Sequence, residues 1–349
     1  MNVQLNELQR RHQEVAAEVE SRLLDVVRSG KYIGGTHVEA VEQFAAAAFE
    51  RTAAVGVNSG TDALMLALQA IGVQPGDEVI VPALSFFATA GAVAAIGAVP
   101  RVVDVREDGL IDPQAAENAI SPRTRAIVPV HLFGAMAPFL PFDLPIVDDA
   151  AQAIGGTPSR SIGVLTTLSA YPTKTWGAAG DAGFVIGDDP ELLSRVRKLG
   201  NHGMSEPHHH HRVAGTVGRN SRLDPMQAAV LLGHAPLLTD RIARRRLTAA
   251  RYDRELPQSW LRLPRDPGSP VHHYVVRHPR REAIREHLAI RGIETAIHYP
   301  LSLGRQPALV VTPCPMAERL TSEMFALPVH DQLTESEITA VLTACAECR

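Results

Sequence analysis

The chain has 349 residues, 45% of them hydrophobic, with 34 Lys and Arg against 38 Asp and Glu and a formal net charge of -4. That length suits a large domain plus a smaller one rather than one simple core, and so even a charge balance argues against a nucleic-acid partner. No stretch approaches about 18 uninterrupted apolar residues, and no basic segment followed by an apolar run opens the chain. A soluble, cytoplasmic protein with no membrane partner is expected.

Residues 5–28 read as a polar amphipathic helix, broken by Ser29-Gly-Lys-Tyr-Ile-Gly-Gly35 before a second helix over 37–50. Apolar strands and helices then alternate. Strands are expected at 53–57, 78–81, 101–105, 124–130, 146–149, 166–170 and 183–186, with helices at 62–70 and 86–96 between them. Strands that are apolar throughout, separated by helices, predict a mostly parallel sheet covered on both faces. A long helix starts near Asp224, with Pro225 in its first turn and a break over 233–236. A Pro-rich connection over 257–270 leads to a strand at 274–277, a helix at 280–291, a strand at 294–298 and a last helix from Glu335. The expected division is a large domain over 1–235 and a small α+β domain over 236–349.

Two acid–base candidates stand out. Lys174 lies in Ser169-Ala-Tyr-Pro-Thr-Lys-Thr-Trp-Gly177, and Asp149 ends the apolar run Ile146-Val147. Each sits at a strand end of an α/β chain, where open sheets place ligands. A lysine there can carry an aldehyde cofactor as a Schiff base, and a carboxylate can keep a ring nitrogen protonated. Asp148 is the alternative, but neighbouring strand positions face opposite sides. Ser59-Gly-Thr61, between strand and helix, offers backbone N–H groups and a hydroxyl to an anion, and Ser169 could add a second hydroxyl. Gln152 could reach the ring, and Phe86 could stack on it. His208-His-His-His211 could not turn four adjacent imidazoles onto one ion without strain, so it reads as a loop and no metal is expected. Cys314, Cys345 and Cys348 make no disulfide framework, and Cys345-Ala-Glu-Cys348 reads as a frayed helix end.

In order and spacing, these segments closely resemble the DegT/DnrJ/EryC1/StrS family of sugar aminotransferases. The resemblance runs from Gly30-Lys-Tyr-Ile-Gly-Gly35 through Asn58-Ser-Gly-Thr-Asp-Ala-Leu64, Val130-His-Leu-Phe-Gly134 and Asp148-Asp-Ala-Ala-Gln-Ala153. It is strongest over Ser169 to Gly183 and continues in Gly218-Arg-Asn-Ser-Arg-Leu-Asp224 and Ile297-His-Tyr-Pro300. It implies the PLP-dependent transferase fold type I, aspartate aminotransferase-like, with a mostly parallel seven-stranded sheet. It implies pyridoxal 5′-phosphate (PLP), cycling with pyridoxamine phosphate, as cofactor. Lys174 resembles the Schiff-base lysine and proton shuttle, and Asp149 the partner of the pyridine nitrogen. Gly60, Thr61 and Ser169 resemble phosphate ligands, Phe86 the stacking ring and Gln152 a contact on the cofactor's oxygen side. Asn220 resembles an asparagine that crosses to the phosphate of a neighbouring subunit, which implies a homodimer with shared sites. Tyr32, Arg219, His298 and Tyr299 are the implied substrate contacts.

The implied reaction moves an amino group from L-glutamate to a nucleotide-linked keto-deoxysugar. Gln152 resembles the glutamine of the 3-keto branch, which favours C3 over C4. A keto-cyclitol acceptor, a non-transaminating PLP dehydratase and a silent regulatory homologue are the alternatives; Lys174 argues against the dehydratase, and retention of the whole cofactor set against the silent homologue. The chain departs from the family pattern in a short, Pro-rich 134–145, in Ala170 and Thr175 where phenylalanine and asparagine are usual, and at Gly304, near which a histidine is common. These departures touch the sugar pocket and leave the cofactor set intact.

Overall fold

The computed structural model describes residues 2–156 and 163–348. Helices α1 (Leu8–Gln13), α2 (Ala16–Ser29) and α3 (Thr36–Ala48) lead into β1 (Ala53–Val57) and α4 (Gly60–Ala70). Then come β2 (Glu78–Pro82), α5 (Ala88–Ala95), β3 (Val99–Val103), α6 (Pro113–Asn118), β4 (Thr124–Ile127), β5 (Val147–Asp149), β6 (Leu165–Ser169), β7 (Gly183–Gly187) and α7 (Pro190–Leu199). A small hairpin, β8 (Met204–Glu206) with β9 (His209–His210), precedes α8 (Pro225–His234) and α9 (Leu238–Glu255). The chain ends with β10 (Leu261–Arg262), β11 (Tyr274–Arg277), α10 (Arg281–Ile290), α11 (Pro315–Glu323), β12 (Met324–Leu327) and α12 (Glu335–Glu347).

One local device starts several helices. Asp112, Asp189 and Asp224 each accept a first-turn amide while the following proline takes the first helical position, where its missing N–H costs nothing. Thr334 and Glu337 close a reciprocal capping box on α12.

The sheet forms two hydrogen-bonded groups, β1-β7-β6-β5 and β3-β2-β4. Parallel bridges Ile127–Ile146 and Val130–Asp149 join them, giving seven strands in the order β1-β7-β6-β5-β4-β2-β3. Only β7 runs against its neighbours, so the expectation of a mostly parallel seven-stranded sheet holds. One core packs α4 and α5 on one face, and a second packs α3 and α8 on the other.

The C-terminal sheet β10-β11-β12 is antiparallel and buries both faces by strict alternation. Tyr274, Val276, Phe325 and Leu327 face a separate core with α9, α10 and α12, which also takes in Val3. Val275, Met324 and Ala326 face the core of the large sheet.

Three expectations need correction. The helix over 5–28 is two helices, with a break at Glu14 and Val15; there Glu14 accepts from Arg241 and Arg244 of α9. No strand forms over 294–298; only Ala296 bridges, to Ala326, because His298 and Tyr299 turn into a cavity instead. Cys345 is not at a frayed end: it is fully buried in the C-terminal core. The 134–145 segment carries no α-helix beyond one short turn at Leu132–Gly134, and His208–His211 lie exposed around the β8–β9 hairpin. Among the described residues no cluster could hold a metal, and no helix is long and apolar enough to cross a membrane.

Candidate active site

The ends of β1, β5 and β6 and the start of β7 meet at one edge of the sheet, where a cavity of about 570 Å³ opens. Gly60, Thr61, Phe86, Asp149, Gln152, Ser169, Lys174, His298 and Tyr299 line it; Tyr32, Arg219 and Asn220 do not.

At one end lies the N-terminus of α4. Ser59 caps it by accepting from the Asp62 amide at 3.1 Å. Among the described residues nothing accepts from the Gly60 and Thr61 amides, so two aligned donors are free at the positive end of the helix. Close backbone packing shapes this cradle. A Cβ on Gly60 would lie 2.6 Å from Ser169 Cβ, and one on Gly183 would lie 2.4 Å from the Ser59 carbonyl carbon.

At the other end Asp149 closes β5. Thr89 Oγ1 donates to its Oδ2 at 2.8 Å, and the Ala151 amide donates to Oδ1 at 3.2 Å. Burial raises its pKa, while these hydrogen bonds and the charges of Lys174 and His131 pull it down. Asp148 faces the opposite side, accepting from the Gly163 amide at 2.8 Å beside His131. The alternation along β5 thus separates the two carboxylates.

Lys174 stands on the turn after β6, where its amide donates to the Tyr171 carbonyl at 2.8 Å. Gly177 closes this turn: a Cβ there would lie 2.3 Å from the Pro172 carbonyl oxygen. The Lys174 side chain is half-buried in the cavity wall. Burial lowers its pKa from 10.5 to about 8, against a partial restoring pull from Asp149.

The third wall is aromatic and polar. The Phe86 ring lies 5.9 Å from that of Tyr299. Gln152 is fixed at both ends: Oε1 accepts from the Phe133 amide at 2.6 Å, and Nε2 donates to Tyr299 Oη at 3.1 Å. Behind them lie His272, His273 and His298, with ring centroids 4.2 and 4.1 Å apart, the first pair tilted and the second stacked. Burial, with Lys174 nearby, holds His298 down at about 4 and the other two well below the usual histidine value. All three are therefore neutral near pH 7. Sequence reasoning missed His272, His273 and Thr89. The visible signal was a polar pair opening the otherwise apolar strand at Tyr274.

The expected substrate contacts Tyr32 and Arg219 are placed differently. Tyr32 is exposed, its hydroxyl on the Val27 carbonyl. The Arg219 guanidinium is engaged on Met65 and Gln69 of α4. Asn220 is exposed on the same loop.

The donor set fits a flat, phosphorylated pyridine aldehyde. Free helix-terminal amides suit a phosphate, Phe86 offers a ring face, the buried Asp149 suits a protonated ring nitrogen, and Lys174 offers a largely desolvated amine.

Comparison with known proteins agrees with this fit. The sequence pattern of the DegT/DnrJ/EryC1/StrS aminotransferase family matches residues 13–346. The chain is 40% identical over 362 residues to dTDP-3-amino-3,4,6-trideoxy-alpha-D-glucose transaminase of Streptomyces venezuelae, covering 98% of this chain and 94% of that protein. It is 34% identical over 359 residues to UDP-2-acetamido-2-deoxy-3-oxo-D-glucuronate aminotransferase of Pseudomonas aeruginosa, covering 98% and 99%. It is also 37% identical over 370 residues to a pleiotropic regulatory protein of Geobacillus stearothermophilus, covering 99% and 98%. Among solved structures, S. venezuelae DesV in complex with a ketimine intermediate superposes with a TM-score of 0.92 at 38% identity, covering 99% and 98%. NtdA of Bacillus subtilis with bound cofactor PMP gives 0.94 at 28% identity, covering 99% and 85%. The chain belongs to the DegT/DnrJ/EryC1/StrS aminotransferase family and is a PLP-dependent sugar aminotransferase of fold type I.

Proposed function

We propose that the enzyme moves an amino group from L-glutamate to the C3 carbonyl of a nucleotide-linked keto-deoxysugar, with Lys174 as the covalent cofactor lysine. The observation that carries this reading is the meeting of Lys174 and Asp149 in one cavity with the unpartnered amides of α4. Bound PLP supplies an aldehyde carbon for amine exchange and an electron sink for charge developing at the donor's Cα. Gly60, Thr61 and Ser169 hold the phosphate, Phe86 covers a ring face, and Asp149 pairs with the ring nitrogen. That pairing offsets the cost of burying the Asp149 carboxylate. The Lys174 amine, with a pKa near 8, is poised to take up and return the proton at the donor's Cα near neutral pH. Gln152 and Tyr299, locked to each other, orient the oxygen side of the ring and, with His298, bound the sugar pocket.

Preference for C3 rests on Gln152 and on relatives whose names specify 3-amino or 3-oxo sugars. Asn220, Arg219 and Tyr32 lie outside the cavity of their own chain, and exposed Tyr32, Ile33 and Val217 offer apolar surface for a second copy. The working unit of this reading is a homodimer in which Asn220 reaches the partner's phosphate. Each protomer divides into domains at 235/236.

The first test is an absorbance spectrum before and after L-glutamate. A band near roughly 420 nm moving to about 330 nm is expected, and Lys174→Ala should lack it. Mass spectrometry should then detect amine formation on a 3-keto nucleotide sugar in preference to its 4-keto isomer. Faster amination of the 4-keto isomer would overturn the C3 assignment. Absence of bound cofactor after reconstitution would favour a regulatory role like the one named for the Geobacillus relative.

A further inference from the structure

At the lysine turn, outside the cavity lining, an arginine arrives from the other end of the sequence. Arg11 belongs to the short helix α1, yet it is only 5% exposed. Its Nη1 donates to the Lys174 carbonyl at 2.7 Å and its Nη2 to the Thr175 carbonyl at 2.5 Å. These carbonyls are consecutive along the turn, and a planar fork with donors on two nitrogens holds both in fixed directions, which a single-centred ammonium on a flexible stem does not.

The fork itself is held. Arg241 donates to the Arg11 carbonyl at 3.3 Å and to Glu14 at 3.0 Å. Arg241 and Arg245 both pair with buried Asp331, at 3.5 and 3.2 Å. Arg245 also donates to the His272 carbonyl at 3.2 Å, and the His272 ring lies 3.4 Å from Thr175 Oγ1. Three guanidiniums gathered around Asp331 and Glu14 are costly to bury unless geometry is tightly kept. Here the network ties α1, α9 and the loop at Asp331 to the backbone of the lysine turn. The chain before α1 belongs to the same construction: Val3 pairs with Gly292 and Glu294, and Leu5 and Asn6 line the cavity.

We propose that Arg11 is a positioning residue for the reaction: its guanidinium fork fixes the Lys174 and Thr175 carbonyls and so aims the Lys174 amine into the cavity. Arg11 touches neither cofactor nor substrate; it acts through the direction of the Lys174 Cα–Cβ bond. A loosened turn lets the amine swing toward water, where its charged form is solvated. The inference rests on the assignment of Lys174 as the working lysine, and its test is made without cofactor so that the two can fail separately.

The test uses cofactor-free full-length enzyme. Trace acetylation of Lys174, quantified by peptide mass spectrometry from about pH 6 to about pH 11, gives the amine's titration directly. Wild type should titrate near 8. Arg11→Met should raise that value by about one unit, an approximately tenfold loss of neutral amine at pH 7. Arg11→Lys, which keeps the charge but loses the rigid two-nitrogen fork, should fall between. A folded Arg11→Met protein with wild-type Lys174 titration would overturn the proposal and leave Arg11 a purely structural residue. If Arg11→Met does not fold, Arg11→Lys decides in the same way: a shifted titration supports the proposal, and an unchanged one overturns it. Failure of the wild-type protein to form a Schiff-base absorbance band would sink the role of Lys174 while leaving this titration readable.

Discussion

Replacing Lys174 by methionine should stabilise the cofactor-free protein, because it removes a charge the fold holds at a cost. Burial lowers the amine's pKa from 10.5 to about 8, with Asp149 restoring only part of the loss. Between those values the unfolded chain keeps a proton that the folded chain has released, so wild-type stability rises with pH across that window. Below about 8 both states are protonated and the full penalty is present. At roughly 1.36 kcal/mol per unit of pKa, the penalty is at most about 3 kcal/mol, less whatever its residual solvent contact screens. Lys174→Met should therefore exceed wild type by about 1–3 kcal/mol at pH 7, and the gap should close as pH approaches 10.5. Any gain from the methionine's apolar stem is independent of pH and leaves the closing of the gap unaffected. Urea unfolding of the two apoenzymes at matched protomer concentration reads the difference. A variant no more stable than wild type at pH 7, or a gap that widens as pH rises, would refute the reasoning.

Asp149→Asn should retain Schiff-base absorbance but slow the glutamate-driven decay of that band about 10²–10³-fold, the loss of a preorganised charge; an unchanged decay rate would remove Asp149 from the chemistry. In Gly60→Ala the new Cβ would lie 2.6 Å from Ser169 Cβ. An overpacking cost of about 1–3 kcal/mol, if it falls on the cofactor-bound state, should weaken cofactor binding roughly 5- to 150-fold in a titration of the apoenzyme, and an unaltered affinity would contradict the cradle. Trp176 is buried between Phe44 and Phe184 and donates to the Leu231 carbonyl at 3.0 Å. Trp176→Ala should lower unfolding free energy by about 3–5 kcal/mol, and denaturant unfolding showing less than about 1 kcal/mol would mean this cluster matters little.

Local order along the chain was legible where local physics decides. Apolar strands alternating with helices predicted the sheet, and an Asp before Pro225 marked the start of α8. The strand-end positions of Asp149 and Lys174 pointed to the cavity because neighbouring residues on β5 must face opposite ways. Partners brought from far along the sequence were not legible. Thr89 meets Asp149 across 60 residues, and Arg11 meets Thr175 across 164; no periodicity marks either. The expected strand at 294–298 failed for a related reason. Its short mixed run makes only the single bridge Ala296–Ala326 to β12, while Tyr299 just beyond it is held by Gln152 and lies against Phe86 in the cavity.

A chain taken alone also leaves its site open on one side, and this bears on why some expected residues lie elsewhere. Phe86 and Tyr171 line the cavity yet are 59% and 51% exposed. A ring laid on Phe86 would remain in contact with bulk water on that side. Tyr32, Ile33 and Val217 are also exposed, at 51%, 64% and 64%, and no core within the same chain claims them. Covering the cavity and covering these side chains are demands that one event can meet. A second copy of the chain would do both and would bring the exposed Asn220 with it. In the proposed homodimer, a protomer held apart from its partner would keep the Gly60–Thr61 cradle and the lysine turn, both built within one chain, but would lack the cover that excludes water. It should therefore form the Schiff base weakly, and cofactor affinity should rise with protein concentration over the range where dimer forms.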